Sequence, residues 1–501
     1  MKPSAIELPL IAQARNHGDR VAIVAPDGTY TFRELLAASQ SVASALLRDT
    51  VDLNEQRVAF LIPPGFQYVA VQWGIWRAGG LAVPVSVSHP PPELEYVIAD
   101  ADAELVIAHS EFANLLRPVA EKLSRRFFLT TGIFSTKETD LPRLALSRRA
   151  MMLYTSGTTN RPKGVVTTHG NLHAQVSTLV SAWEWRAEDR ALLVLPLHHV
   201  HGIVNVLACA LYAGAACEVL PRFDADAVWE KFLAGAFTVF MAVPTIYTKL
   251  IAAWERATVQ EQRAMSNACA KMRLMVSGSA ALPVRVLEKW QSLSGQILLE
   301  RYGMTETGMI LSNPLRGERR PGFVGTPLPN VEVRLVDEQG HAVSEGQPGE
   351  VQVKGPSVFL EYWRKPEAMA TAFHDGWFCT GDIAAFENGS YRIWGRRSID
   401  IIKTGGYKVS ALEIEDVLRQ HPEIAECAVF GLDDAEWGER VCAALVLQEG
   451  NTMALENLRH WCVARLAVYK IPTRLFLFET LPRNALGKII KTEIKKLALN
   501  S

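Results

Sequence analysis

The chain has 501 residues, 49% of them apolar and 21% charged, with 52 Lys and Arg against 53 Asp and Glu for a formal net charge of -1. That length allows two or more domains, and the even charge balance argues against a broad electrostatic footprint for nucleic acid or an anionic membrane. Seven cysteines, an odd number with no CxxC pair, argue against a disulfide framework or a zinc site and fit a reducing compartment.

The opening MKPSAIELPLIAQARNHGDR lacks the basic-then-apolar profile of a secretory signal and the Arg/Ser-rich, acid-free profile of a transit peptide. No apolar run approaches the length of a membrane span. The expectation is a cytoplasmic protein with no membrane span and no nucleic-acid partner. From Arg57, RVAFLIPP predicts a buried strand stopped by two prolines, and FQYVAVQWGIWRAGG from Phe66 predicts a helix ended by Gly79 and Gly80. LAVPVSV follows as a strand, PELEYVIADADA from Pro92 as a proline-started helix, and ELVIAH as a strand. Strand–helix–strand repetition at this spacing implies parallel sheets covered by helices, and ALLVLPL, TVFMAVP and MRLMVSGS supply a second such set. After Pro321 the short alternating runs VEVRLVDEQG, GEVQVKGPSV and YRIWGRR predict antiparallel sheet. EIEDVLRQHPEIAECAVFGL and NLRHWCVARL then predict a small α+β unit, entered through a short charged segment, Arg396–Asp400, that suits a hinge. The expected organisation is a large domain over residues 1–396 and a small one over 397–501.

The strongest chemical signal is Tyr154–Val166, YTSGTTNRPKGVV. Its hydroxyl residues and glycines make a poor helix and a poor packed strand, but a good loop of backbone N–H and hydroxyl donors with Lys163 as a cation. A polyphosphate needs such a cradle. The spacing is not that of a P-loop, because the lysine precedes the second glycine with no Ser or Thr directly after it.

This loop resembles the signature of the acyl-adenylate-forming superfamily, which includes acyl-CoA synthetases, firefly luciferase and the adenylation domains of peptide synthetases. Further landmarks stand in the family's order: PLHHVHG at Pro196, VSGSAAL at Val276, RYGMTETG at Arg301, TGD at Thr380, GRRSIDIIKTGGYKV at Gly395 and PRNALGKI at Pro482. One departure is Asn160 where the family usually has glycine; Asn tolerates the left-handed region best among the other residues. The resemblance implies an α/β fold: two αβα sheets of parallel type plus a small distorted β-barrel in the large domain, and a mobile α+β C-terminal domain. It also implies ATP, Mg²⁺ and coenzyme A as ligands beside a small carboxylic acid.

By that resemblance, Thr155, Ser156, Gly157, Thr158, Thr159 and Lys163 wrap the β- and γ-phosphates, Thr305 binds the α-phosphate and Glu306 holds Mg²⁺. Gly278, Ser279 and Ala280 line the adenine site, Tyr302, followed by Gly303, stacks on the base, Asp382 accepts from the ribose hydroxyls, and Arg396 fixes ribose and phosphate. Lys488 bridges the carboxylate and α-phosphate in the first half-reaction. It then leaves as the small domain turns about a hinge at Ser398, and a glycine-rich strand with Gly405 and Gly406 lines the pantetheine path. The acyl pocket would be built from His199, Val200, His201, Val243, Lys249, Ser277 and Met304, with His201 also counted among the catalytic residues.

The wording VSGSAALP…LEKW…ERYGMTETGM, with GPSVFLEYW and DIIKTGGYKVSALEIE, is most similar to the malonyl-CoA synthetase branch. Bacterial members place an arginine at the position of Lys249, where it engages the distal carboxylate of the acid. Lysine keeps the charge and loses the bidentate fork. Malonate is therefore the expected acid, with methylmalonate next; a medium-chain or aryl acid, or loading of a carrier protein, are the alternatives.

Overall fold

The computed structural model describes residues 7–48, 50–155, 162–235, 237–483 and 489–499. Strand Arg57–Leu61 ends before the two prolines, since proline cannot donate to a ladder. Helix Phe66–Arg77 ends two residues ahead of Gly79, whose φ is +79° and where a Cβ would lie 2.1 Å from the Asp52 carboxylate. Only glycine fits that turn. The proline-started helix runs over Pro91–Asp100.

These elements build two mixed sheets. One runs Glu361–Tyr362, Lys163–Thr168, Arg149–Thr155, Leu81–Pro84, Arg57–Leu61, Leu105–Ala108 and Arg126–Leu129, the last five parallel. The other has a parallel centre of Leu299–Met304, Leu274–Ser277, Val239–Ala242, Arg190–Leu193, Ala216–Val219 and Val21–Ala25, flanked by antiparallel strands Gly308–Ser312 and Gly28–Thr31. A shared apolar core joins them, with Trp73, Trp183, Trp229 and Trp290 fully buried in it.

The segment after Pro321 forms the antiparallel sheet its alternating runs predict, five strands in all. The last unit has a five-stranded sheet with an apolar cluster on each face. Val429, Val441, Ala443 and Leu445 pack on one side, and Ala428, Phe430, Leu432, Cys442 and Ala444 on the other. This is the period of two that strands impose. All seven cysteines are free, and no described helix is long and apolar enough to cross a membrane.

Candidate active site

Parallel strands Val239–Ala242, Leu274–Ser277 and Leu299–Met304 deliver their C-terminal ends to one edge, where open α/β sheets place ligands. The third strand turns through Thr305–Thr307 and returns antiparallel, with Met304 opposite Gly308. The turn is tight: a Cβ on Gly303 would sit 2.2 Å from the Gly308 carbonyl oxygen. RYGMTETG is therefore a hairpin that presents Thr305 and Glu306 at its tip. Beside it, Ser279 holds a φ of +68°, a backbone state uncommon for serine and concentrated at functional sites. Ser279 and Ala280 are exposed there, while Gly278 is buried.

Tyr302 donates its hydroxyl to Asp382 at 2.5 Å. The other Asp382 oxygen accepts from Arg396 at 3.0 Å, and the same guanidinium nitrogen donates to the Thr380 carbonyl at 2.7 Å. Three residues assigned from separate motifs thus form one bonded group. Glu306 is buried, and its carboxylate accepts from the Tyr362 hydroxyl at 2.8 Å. Burial raises its pKa, outweighing the Tyr362 bond and the charge of Arg396. Lys163, opposite Thr155 on the neighbouring strand, holds its ammonium 5.2 Å from the centre of the Tyr362 ring. Tyr362 therefore links the lysine to the carboxylate, a connection the motifs alone do not reveal. Ser156, Gly157, Thr158, Thr159 and Asn160 lie outside the described residues, as does Lys488.

On the acid side, His201 Nδ1 shares a hydrogen bond with the Ser279 hydroxyl at 3.1 Å. Burial, and then the charge of Arg301, hold its pKa well below the ordinary value, so the ring is neutral. His201 opens a π-helical segment, His201–Ala208, a winding often found at functional sites. With i→i+5 bonding, residues four to five apart stack, so Asn205 shares a face with His201. Ile203, Val204 and Ala208 turn to the opposite face, where they line a separate apolar cavity. Val200 packs at the rim of the main core, and Met304 packs against a small apolar cluster that includes Val165, Phe359 and Phe378.

The sequence reading missed Arg301. It is 3% exposed, and Gly278 makes room for it, since a Cβ there would be 2.4 Å from its guanidinium. Burial pulls its pKa down to about 9, against the pull of Glu300. Its Nε and Nη2, the His201 Nε2, the Ser277 hydroxyl and both amide atoms of Asn205 are buried without a hydrogen-bond partner among the described residues. The available signal was an arginine beside an inward-facing run, in a strand where a charge has no reason to be buried unless something meets it. Lys249, the expected cation, is exposed, makes no ion pair with a described residue, and sits 5.8 Å from the Phe223 ring centre.

Gly405 and Gly406 also differ from the expected strand. Thr404 pairs with Tyr407, so the two glycines form the two-residue turn of a hairpin, with φ of +55° and +81°. A turn positive at both central residues matches strand twist and strongly favours glycine. Ser398 is exposed in the turn Arg396–Asp400.

The AMP-binding enzyme family model matches residues 10–363, and the AMP-binding enzyme C-terminal domain model matches residues 413–488. The chain belongs to the AMP-binding enzyme family. It is 47% identical to the mitochondrial malonate–CoA ligases of Mus musculus and Homo sapiens; the alignments cover 98% and 96% of this chain and 90% and 91% of theirs. Its fold matches ATP-bound MatB from Rhodopseudomonas palustris with a TM-score of 0.90 at 32% identity, over 98% of this chain and 99% of that one. These relatives overturn the cytoplasmic expectation: the mouse and human enzymes are mitochondrial by name. Free cysteines report only independence from disulfides, which fits more than one compartment.

Proposed function

We propose that this AMP-binding enzyme is a malonate–CoA ligase working through a malonyl adenylate. A malonate carboxylate oxygen attacks the α-phosphorus of ATP and pyrophosphate leaves; the thiol of coenzyme A then attacks the acyl carbon and AMP leaves. Such chemistry asks mainly for positioning and charge neutralisation. The Tyr302–Asp382–Arg396 group holds adenine and ribose, with Gly278, Ser279 and Ala280 at the base. The loop from Thr155 to Lys163 takes the outer phosphates, Thr305 the α-phosphate, and Lys488 the charge that builds up in the first step.

The site suits Mg²⁺. Glu306 is a buried carboxylate that accepts a hydrogen bond from the neutral Tyr362 hydroxyl and makes no ion pair with a described residue. Among the described residues no three His, Cys, Asp or Glu side chains group into a protein cage. Mg²⁺ is normally bound by one or two carboxylates plus substrate phosphates, and bound there it would neutralise phosphate charge. Coenzyme A is assigned to the side of the Gly405–Gly406 turn, which the small domain, residues 397–501, brings in by turning near Ser398.

The observation that carries the acid is Arg301: a buried guanidinium with unused N–H groups beside His201 and the loop that follows Ser277. A second carboxylate needs a cation, since burying it unpaired costs several kcal/mol. Arg301 supplies the inner cation and Lys249 an outer, solvated one. The test is a panel of acids assayed for pyrophosphate release and thioester formation. Malonate should lead, ahead of methylmalonate, with acetate, propionate and medium-chain acids far behind; a monocarboxylate outrunning malonate would reject the assignment.

A further inference from the structure

The nucleotide group is tied to the C-terminal helix by contacts that none of the motif roles uses. Lys491, the first residue of helix Lys491–Leu499, places its ammonium 2.6 Å from Asp400 Oδ1 and 2.6 Å from Glu415 Oε1. The three side chains are 10%, 17% and 4% exposed, so the triad is largely withdrawn from solvent. Each carboxylate has further partners. Glu415 accepts from the Val429 N–H at 2.9 Å and pairs with Arg419 at 2.7 Å. Asp400 uses its second oxygen to accept from the Arg396 backbone N–H at 3.0 Å, while its own N–H donates to the Arg396 carbonyl at 2.7 Å. The turn Arg396–Asp400 is thereby closed on both sides, around Ser398. It is also packed shut: a Cβ on Gly395 would lie 2.4 Å from the Asp400 Cβ.

The same Arg396 directs its guanidinium at Asp382 and Thr380. A continuous line therefore runs from Lys491 through Asp400 and the Arg396 main chain to Asp382 and Tyr302. Buried ion pairs are weak sources of stability compared with apolar packing, and their better-attested use is to select one arrangement. Backbone rotation at Ser398 has to break the bond from Arg396 N–H to Asp400, so that bond is made in this arrangement and lost in a rotated one.

We propose that Lys491 and Asp400 are positioning residues for adenylate formation, locking the Arg396–Asp400 turn so that Arg396 is aimed at Asp382. The proposal rests on the two-step ligase reading. Lys491 fixes the Asp400 carboxylate, and that carboxylate fixes the turn. Glu415 holds the other side of the ammonium and keeps the lysine from following Asp400 if the turn opens. Neither residue is among those assigned to ATP, the acid or coenzyme A, so their effect should appear only where the turn must be closed.

The test separates the half-reactions in the full-length enzyme. Single-turnover pyrophosphate release from ATP and malonate reads the first; thioester formation from synthetic malonyl adenylate and coenzyme A reads the second. Lys491→Met and Asp400→Ala should slow the first by about 10²-fold, the cost of a small misplacement remote from the chemistry, and leave the second within about threefold. Lys491→Arg, which can reach both carboxylates, should retain the first within about threefold. Should a single variant fail to fold, the double variant D400N/K491M leaves no unpaired charge, because Glu415 still pairs with Arg419, and it should show the same split. Equal slowing of both half-reactions, or an unslowed first step, overturns the proposal. Failure of the unmodified enzyme to use malonate would instead strike the acid assignment, and the split would then be measured with whichever acid it accepts.

Discussion

The nucleotide side and the acid side of this site lie on the same strand ends but are finished to different degrees. On the nucleotide side the polar groups already bond one another: Tyr302 to Asp382, Asp382 to Arg396, Arg396 to Thr380, Tyr362 to Glu306. On the acid side His201 Nε2, Asn205, Ser277 Oγ and two nitrogens of Arg301 are buried with no such partner among the described residues. The first arrangement is preorganised and costs little to use. On the proposed function the second would be completed by the acid, and a pocket of that kind discriminates strongly, because an analogue that cannot make the bonds leaves buried polar groups unpaired.

The largest effect that would break this comparison is expected at Arg301. Arg301→Met should lower malonate kcat/KM by about 10³-fold, since removing one partner of a buried charge pair costs about 3–5 kcal/mol, and leave propionate unchanged or improved. Its thermal stability should not fall, because the variant buries no unpaired guanidinium; a destabilised protein with equal loss on both acids would mean that Arg301 serves the fold. Next in size, Lys488→Ala should slow pyrophosphate release by about 10²–10³-fold while thioester formation from pre-made adenylate survives. Parallel loss of both steps would contradict a lysine used in one domain arrangement only.

Asp382→Asn tests the finished side. Losing a charge-assisted bond to Arg396 should cost about 1.5–3 kcal/mol, seen as a tenfold or greater rise in KM for ATP with acid preference unchanged. A shift in acid preference would show that the two sides are not independent. Lys249→Met should be milder than Arg301→Met, below about tenfold on malonate, because an exposed charge pair contributes about 1 kcal/mol or less. A loss as large as that of Arg301 would mean that Lys249 is desolvated when the acid is bound.

A different readout, global stability against pH, tests the fold beneath both sides. Burial pulls His169 down to about 3, His198 to about 2 and His199 to about 4, the last two pulled further by neighbouring histidines. Each binds its proton more weakly folded than unfolded, so stability should fall as pH drops from about 6.5 towards 4, by about 1.4 kcal/mol per pH unit per histidine. Urea midpoints measured across that window check it, and His169→Gln should make the slope shallower. Burial raises Glu300 to about 8, which works in the other direction. Its folded form keeps the proton that the unfolded form loses above about 4.3, so stability is lost as pH rises from there to 8, and Glu300→Gln should stabilise at pH 8 and not at pH 4.

Local sequence decided the strand and helix order, the stop after Leu61, the turn at Gly79 and the family motifs, because prolines, glycines and apolar periods act over a few residues. It did not decide which cation is inside. On helix Pro244–Arg256, Lys249 stands four residues after Thr245 and three after Ile246, within helical reach of both; in the fold Ile246 is buried and Thr245 exposed, and Lys249 lies on the exposed side. Arg301 is buried where Gly278, just past the end of the neighbouring strand, leaves space for it, and it meets His201, a residue a hundred positions earlier in the chain. The same holds for Tyr362, which meets Glu306 from the far edge of the other sheet, and for Lys491, which meets Asp400 from the last helix. Periodicity says which residues share a face. Only packing says what that face meets, and the strength of a charge depends on that.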